Sequence, residues 1–192
     1  VAPWVSDTLR NIETVYTGNG NDTITGNNLR NILDGGRGNN IIDGRGGNDL
    51  IWGDVHKDTL KGGIGNDDIY GMDGRDFITG GEGRDRLFGN YRGDDSDKDY
   101  FIYNNWNESP RGSGRDIIQE FGRNDVIDLR KVYSGKFDLL DGVGFTRSGV
   151  AEVRILDNGQ ITGVAADING DGTAELEILV NRVGLTSSNF LL

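Results

Sequence analysis

The sequence predicts an all-β fold: a right-handed parallel β-roll followed by an antiparallel β cap. Three observations predict it. A nine-residue unit, G-G-x-G-x-D-x-U-x with U a large aliphatic residue, repeats in strict phase from Thr17 to Phe88. Glycine, 32 of 192 residues, is locked to that phase rather than scattered as in a linker. From about residue 100 the beat stops and β-rich runs of ordinary length take over. A short unit repeated at a fixed period is the mark of a stacked architecture in which each unit buries its apolar side chain against its neighbours.

Asp7-Thr8-Leu9 and Ile12-Glu13-Thr14-Val15 look like degenerate first units. The regular array follows, and Gly62-Gly63-Ile64-Gly65-Asn66-Asp67-Asp68-Ile69-Tyr70 is a full copy. The aliphatic slot holds Ile24, Leu33, Ile42, Ile51, Leu60, Ile69, Ile78 and Leu87. The acid slot holds Asp22, Asn31, Asn40, Asp49, Asp58, Asp67, Asp76 and Asp85. Each unit divides into a six-residue turn and a three-residue strand with one inward side chain, because strand residues alternate faces. Two units make a coil, so units n and n+2 are neighbours on one edge of the roll. One edge carries Asn31, Asp49, Asp67 and Asp85, the other Asp22, Asn40, Asp58 and Asp76. The last turn, from Gly89 to Asp99, is stretched, and either Asp94 or Asp99 takes its acid slot, with Phe101 closing the apolar ladder.

A division follows, with the roll at 1–103 and the cap at 104–192. In the cap, Asp116–Phe121, Val126–Leu129, Val150–Leu156, Ile161–Ala165 and Glu175–Val180 read as strands, and Asp157-Asn158-Gly159 as a hairpin turn.

The formal charge of −11 disfavours a nucleic-acid partner. Acids stacked on one beat repel one another and call for a divalent cation. Calcium takes six to eight oxygens from carboxylates and carbonyls, and the Gly/Asp turns offer little else. The absence of cysteine excludes disulfides and thiolate metal sites. No apolar run reaches membrane-spanning length and no signal peptide is visible. The chain begins at Val1, which reads as a piece of a longer polypeptide.

These repeats resemble the RTX calcium-binding nonapeptides, and Asn107–Pro110, Asp116–Phe121 and Asp125–Leu129 resemble the C-terminal module of serralysin-type proteases and the R-modules of alginate C5-epimerases. The resemblance implies several calcium ions between stacked turns. One turn gives carbonyls from positions 2 and 4, the next gives positions 1 and 3, and both give the sixth-position acid. The implied ligand residues are Asp49, Asp58, Asp67, Asp76 and Asp85, with Gly44, Gly46, Gly62, Gly63, Gly65, Gly71, Asp73, Gly74, Gly80, Gly81 and Gly83. Asp22 and Asn40 would form weaker or empty mixed sites, and Asp94 or Asp99 the last one. Pairs 49/67, 67/85 and 58/76 carry two carboxylates and should bind most tightly. Leu29 and His56 replace the fourth-position glycine and weaken their turns.

Asp167, Asn169 and Asp171 form D-x-N-x-D-G, similar to the front of an EF-hand loop, but Ile178 stands where the twelfth-position Glu belongs. The stretch is either a calcium loop or an acidic hairpin tip. Leu185–Leu192 resembles the uncleaved signal of type I secretion substrates.

No H-E-x-x-H is present, and the single His56 sits in a repeat turn, so catalysis is not expected from this segment. Two readings remain. In one, the chain is a module of a larger secreted or cell-surface protein that folds on calcium and supports type I secretion. In the other, it is a carbohydrate-binding accessory module or adhesin segment. Arg45, Lys61, Arg75, Arg84 and Arg86 then either line a face for an acidic polysaccharide or merely balance charge.

Overall fold

The computed structural model describes residues 13–90, 97–141, 144–182 and 184–192. Asp7-Thr8-Leu9, Ile12 and Asp94 lie outside them. Strands β1 (Thr14–Tyr16), β3 (Ile32–Asp34), β5 (Leu50–Trp52), β7 (Asp68–Tyr70) and β9 (Arg86–Phe88) line one side of the roll. Strands β2 (Thr23–Thr25), β4 (Ile41–Gly46), β6 (Thr59–Ile64), β8 (Phe77–Glu82) and β10 (Tyr100–Ile102) line the other. Each strand pairs in parallel with the next but one. Leu33 sits opposite Ile51, Ile51 opposite Ile69 and Ile69 opposite Leu87. Ile24, Ile42, Leu60 and Ile78 stack likewise across the coil. All eight are buried.

The remaining strands are β11 (Asp116–Gln119), β12 (Val126–Asp128), β13 (Asp138–Asp141), β14 (Glu152–Asp157), β15 (Thr162–Asp167), β16 (Leu176–Val180) and β17 (Phe190–Leu191). The five runs read as strands are β11, β12, β14, β15 and β16, with ends shifted by a residue or two; β13 was not anticipated. Strands β14, β15 and β16 form an antiparallel meander, and the turn after Asp157 joins the first two.

Both sheets run through this part rather than stopping at it. The ten-stranded sheet has the order β1-β3-β5-β7-β9-β11-β16-β15-β14-β13, and the seven-stranded sheet β17-β12-β10-β8-β6-β4-β2. The apolar ladder therefore does not end at Phe101. It passes from Ile78 to Phe101, Ile127 and Phe190 on one side, and from Leu87 to Ile118 and Val180 on the other. The physical reason is edge pairing: a strand left open at the end of a sheet has unmet N–H and C=O groups, and a parallel neighbour satisfies them.

One inward aliphatic side chain per unit contributes about 2–3 kcal/mol. That falls well short of what ordering nine residues costs. Backbone hydrogen bonds between coils and binding energy at the turns must supply the rest.

Candidate calcium sites

The turns stack as tightly as the strands, and two side-chain ladders tie them. In the first, each sixth-position acid reaches back one coil. Asp49 Oδ1 accepts the Asn31 N–H at 2.7 Å, Asp67 Oδ1 that of Asp49 at 2.7 Å, and Asp85 Oδ1 that of Asp67 at 2.8 Å. On the other edge Asp58 accepts from Asn40 at 2.6 Å, Asp76 from Asp58 at 2.8 Å and Asp99 from Asp76 at 2.8 Å. Asp99 thus stands in the acid slot of the stretched turn. The second ladder, which the repeat consensus did not reveal, runs forward through fifth-position asparagines. Asn48 Oδ1 accepts the Asn66 N–H and Asn66 Oδ1 the Arg84 N–H, both at 2.8 Å. Asn21 and Asn39 do the same for Asn39 and Lys57.

The acid ladder uses one oxygen per carboxylate. The Oδ2 atoms of Asp49, Asp58, Asp67 and Asp85 are buried and have no hydrogen-bond partner. They point at the first glycine of their own turn, and those of Asp49, Asp58 and Asp67 lie beside a carbonyl of the next. A Cβ placed on Gly53 would lie 2.5 Å from Asp58 Oδ2 and 2.8 Å from the Gly71 carbonyl oxygen, so only glycine leaves that space open. Likewise a Cβ on Gly62 would lie 2.6 Å from the Gly80 carbonyl oxygen, with Asp67 Oδ2 closer still. Unpartnered carboxylate oxygens among carbonyls form a hard-oxygen set that fits calcium.

Burial chiefly makes these carboxylates reluctant to ionise, and repulsion from Asp54 at Asp58 and from Asp49 and Asp68 at Asp67 adds to it. Asp49 is pushed up to about 6 and Asp58 and Asp67 up to about 7, against backbone hydrogen bonds that pull the other way.

Asn40 reveals where a cation would sit. Its Nδ2 donates to the carbonyls of Gly36 at 2.9 Å, Gly38 at 3.2 Å and Gly53 at 3.2 Å. These are positions 2 and 4 of its own turn and position 1 of the next. An amide N–H group fills the place that the neighbouring turns leave open. Asn40 therefore offers a donor where a ligand must offer an acceptor, which speaks against counting it among the ligands. The turn with Leu29 also departs from the pattern, since Asn31 Oδ1 folds back onto the Asn27 N–H at 2.8 Å. His56 keeps the fourth-position backbone at φ 91°, a conformation costly for any residue with a Cβ. The Asp73 carbonyl accepts its N–H at 2.7 Å. Asp22 opens the described part of its edge, and its N–H donates to Asn40 Oδ1 at 3.0 Å.

Two further acids extend the ladders past the repeats. Asp116 Oδ1 accepts the Asp85 N–H at 2.8 Å, across 31 residues, and its carboxylate is buried beside the Tyr103 hydroxyl. The short 3₁₀ turn Trp106–Glu108 sets the buried Glu108 carboxylate beside this pair, and Asn104 N–H holds Glu108 Oε2 at 2.7 Å. Burial raises both Asp85 and Asp116, with repulsion from Asp67 and Glu108 adding at Asp85 and from Asp85 and Glu108 at Asp116. Asp125 Oδ1 accepts the Asp99 N–H at 2.9 Å, and its Oδ2 takes the Gly122 N–H at 2.6 Å, ending the second edge. Sequence reasoning missed Asp116, Asp125 and Glu108 because they fall outside the nine-residue phase.

In the β15–β16 loop, ligand atoms of Asp167, Asp171 and Glu175 lie within 4.8 Å of one another. Glu175, at the ninth position, provides the acid that Ile178 cannot; Ile178 is in the core. The loop's own donors already meet these oxygens, with Gly170 and Gly172 N–H on Asp167 and Ile168 N–H on Glu175. Asn169 Oδ1 takes the Asp171 N–H at 2.8 Å.

The five basic residues considered for a polysaccharide do not share a face. Arg86 is paired with Asp68 on the ten-stranded sheet, Lys61 and Arg45 are in β6 and β4 of the seven-stranded sheet, and Arg75 and Arg84 are in turns on opposite edges. Among the described residues no helix is long and apolar enough to cross a membrane.

A family model for the RTX calcium-binding nonapeptide repeat, in four copies, matches residues 10–28, 25–60 and 52–87. Among solved structures, the AlgE6R3 subunit of the Azotobacter vinelandii mannuronan C5-epimerase is similar at 27% identity and TM-score 0.51, over 76% of this chain and 80% of that one. The AlgE6R2 subunit of the same enzyme aligns at 23% identity and TM-score 0.48, over 95% and 94%. No curated protein matches significantly. Stacked Gly/Asp turns, buried unpartnered carboxylates and the matched repeats converge: residues 10–87 are an array of RTX calcium-binding nonapeptide repeats, and calcium is what they bind.

Proposed function

We propose that this chain is a non-catalytic module of a larger secreted protein, and that calcium binding between its turns drives it from an expanded chain to the folded roll. The observation that carries this reading is the contrast between Asn40 and its neighbours. One turn satisfies its carbonyls with an amide N–H, while the turns carrying Asp49, Asp58, Asp67 and Asp85 present buried Oδ2 atoms with no hydrogen bond. In this reading those acids, with Asp76, Asp99 and Asp116, hold the ions, and carbonyls of turn residues such as Gly44, Gly46, Gly62, Gly63, Gly65, Gly71, Asp73, Gly74, Gly80, Gly81 and Gly83 complete the shells. Bound calcium supplies the charge that lets the carboxylates stay ionised in a buried stack. The β15–β16 loop is a secondary candidate with Asp167, Asn169, Asp171 and Glu175. In this reading most of the metal-holding acids lie before the 103/104 division, Asp116 and the β15–β16 loop lie after it, and the export signal is in Leu185–Leu192.

Such a module suits an exported protein: scarce calcium in the cytosol leaves it unfolded for passage through a type I transporter, and abundant calcium outside folds it. Circular dichroism during calcium titration tests the folding claim. A cooperative gain of β signal at roughly 10⁻⁴–10⁻³ M calcium is expected, with no substitution by magnesium. A native spectrum in excess chelator would sink the reading.

A second role, binding an acidic polysaccharide, is favoured by the similarity to a subunit of a mannuronan epimerase. Titration of the calcium-loaded chain with alginate oligomers tests it.

A further inference from the structure

The two outer faces of the roll differ in chemistry. On the ten-stranded sheet, Trp52, Tyr70 and Phe88 stack in a column with centroid spacings of 6.0 and 4.3 Å, and Arg86 is tied to Asp68. On the seven-stranded sheet, the outward positions of β6 and β8 hold Thr59, Lys61, Phe77 and Thr79. Phe77 stacks on Tyr100 of β10 at 5.0 Å and 3°. Lys57 Nζ lies 4.9 Å from the Phe77 centroid, and Lys98 Nζ 5.4 Å from that of Tyr100. Lys61 adds a third ammonium on this face, 3.9 Å from an Asp43 carboxylate that is itself well exposed.

We propose that the outer face of the seven-stranded sheet is the docking surface for an acidic polysaccharide, with Lys57, Lys61 and Lys98 meeting its carboxylates and Thr59 and Thr79 its hydroxyls. This rests on the polysaccharide reading above and gives it a location. Charge complementarity is the first support. The second is preorganisation: a lysine held over a ring loses less rotamer freedom on binding than a free one. Third, Lys57 and Lys98 immediately precede Asp58 and Asp99 in the stacked turns, so the turns place both cations. Calcium also removes the obstacle of net charge, since about five ions would bring the formal −11 close to neutral. Single-stranded nucleic acid fits less well, because it needs open aromatic faces for its bases. Phe77 and Tyr100 spend theirs on each other and on the lysines.

The test is calorimetric titration of the calcium-loaded chain with alginate oligomers, with dextran oligomers and oligo-dT as alternatives. The variants are the double substitution Lys57→Gln/Lys98→Gln and the opposite-face control Arg86→Gln. The double variant should lose affinity by about tenfold with an unchanged calcium midpoint, and the control should keep it. Chelator should abolish binding. If the double variant binds as the parent does, the surface is wrong while the polysaccharide reading stands. If the parent binds no alginate, both fall. Equal binding of dextran, or preferential binding of oligo-dT, overturns the assigned partner.

Discussion

The side-chain amide of Asn40 donates to the carbonyl of Gly53, in the turn one coil further on, at 3.2 Å. With its bonds to Gly36 and Gly38, this makes the residue an internal stand-in for a cation. Asn40→Asp removes the donor and adds a carboxylate to the same three carbonyls. The variant should bind one more calcium ion than the parent, counted by native mass spectrometry, and should lose β structure in chelator. An unchanged ion count would show that the three carbonyls do not mark a metal position.

Asp67 stands mid-ladder, accepting from Asp49 and donating its own N–H to Asp85. Asp22 pairs with Asn40, to whose Oδ1 its N–H donates. Asp67→Ala should raise the calcium midpoint by roughly tenfold or more, whereas Asp22→Ala should move it little. Equal shifts in the two titrations would contradict the edge assignment.

Burial raises the carboxyls of Asp58 and Asp67 to about 7 and of Asp49 to about 6, from an ordinary 3.8. In the metal-free fold these groups hold protons that the unfolded chain has already released. Their contribution to metal-free stability is thus full below pH 3.8 and is lost as pH rises through 6 to 7. The metal-free chain should show more β signal at about pH 4.5 than at about pH 8. Calcium should bind more tightly as pH rises through that window, releasing protons measurable by calorimetry in buffers of different ionisation enthalpy. Calcium affinity that ignores pH between 5.5 and 7.5 would argue against buried carboxylate ligands.

The C-terminal strand is part of the fold. Phe190 sits opposite Ile127, and Asn189 Nδ2 donates to the Asp125 carbonyl at 2.9 Å, next to the last acid of the ladder. Deleting Leu185–Leu192 should therefore lower the melting temperature and raise the calcium midpoint, besides any effect on export. Phe190→Ala alone should cost about 2–4 kcal/mol. Export and folding of the truncated protein need separate assays, and wild-type stability after truncation would show that β17 is dispensable.

What the sequence determined by itself was whatever keeps the nine-residue phase. Ile51, Ile69 and Leu87 announce the core, Asp49, Asp67 and Asp85 the acid edge, and the pairing of units n and n+2 follows from two units per coil. These are local and periodic, so a repeat displays them without a fold. Tertiary structure alone decided the rest. Asp116 joins the ladder from 31 residues away and Asp125 from 26, because chain excursions of arbitrary length can return to the same stack. Asp99 accepts the Asp76 N–H for the same reason: the acid slot is filled from 23 residues away rather than at the repeat's spacing. Ligand or surrogate was likewise undecidable for Asn40 from its identity alone. An asparagine can present oxygen or N–H, and only the three carbonyls around it show which one the packed turns demand.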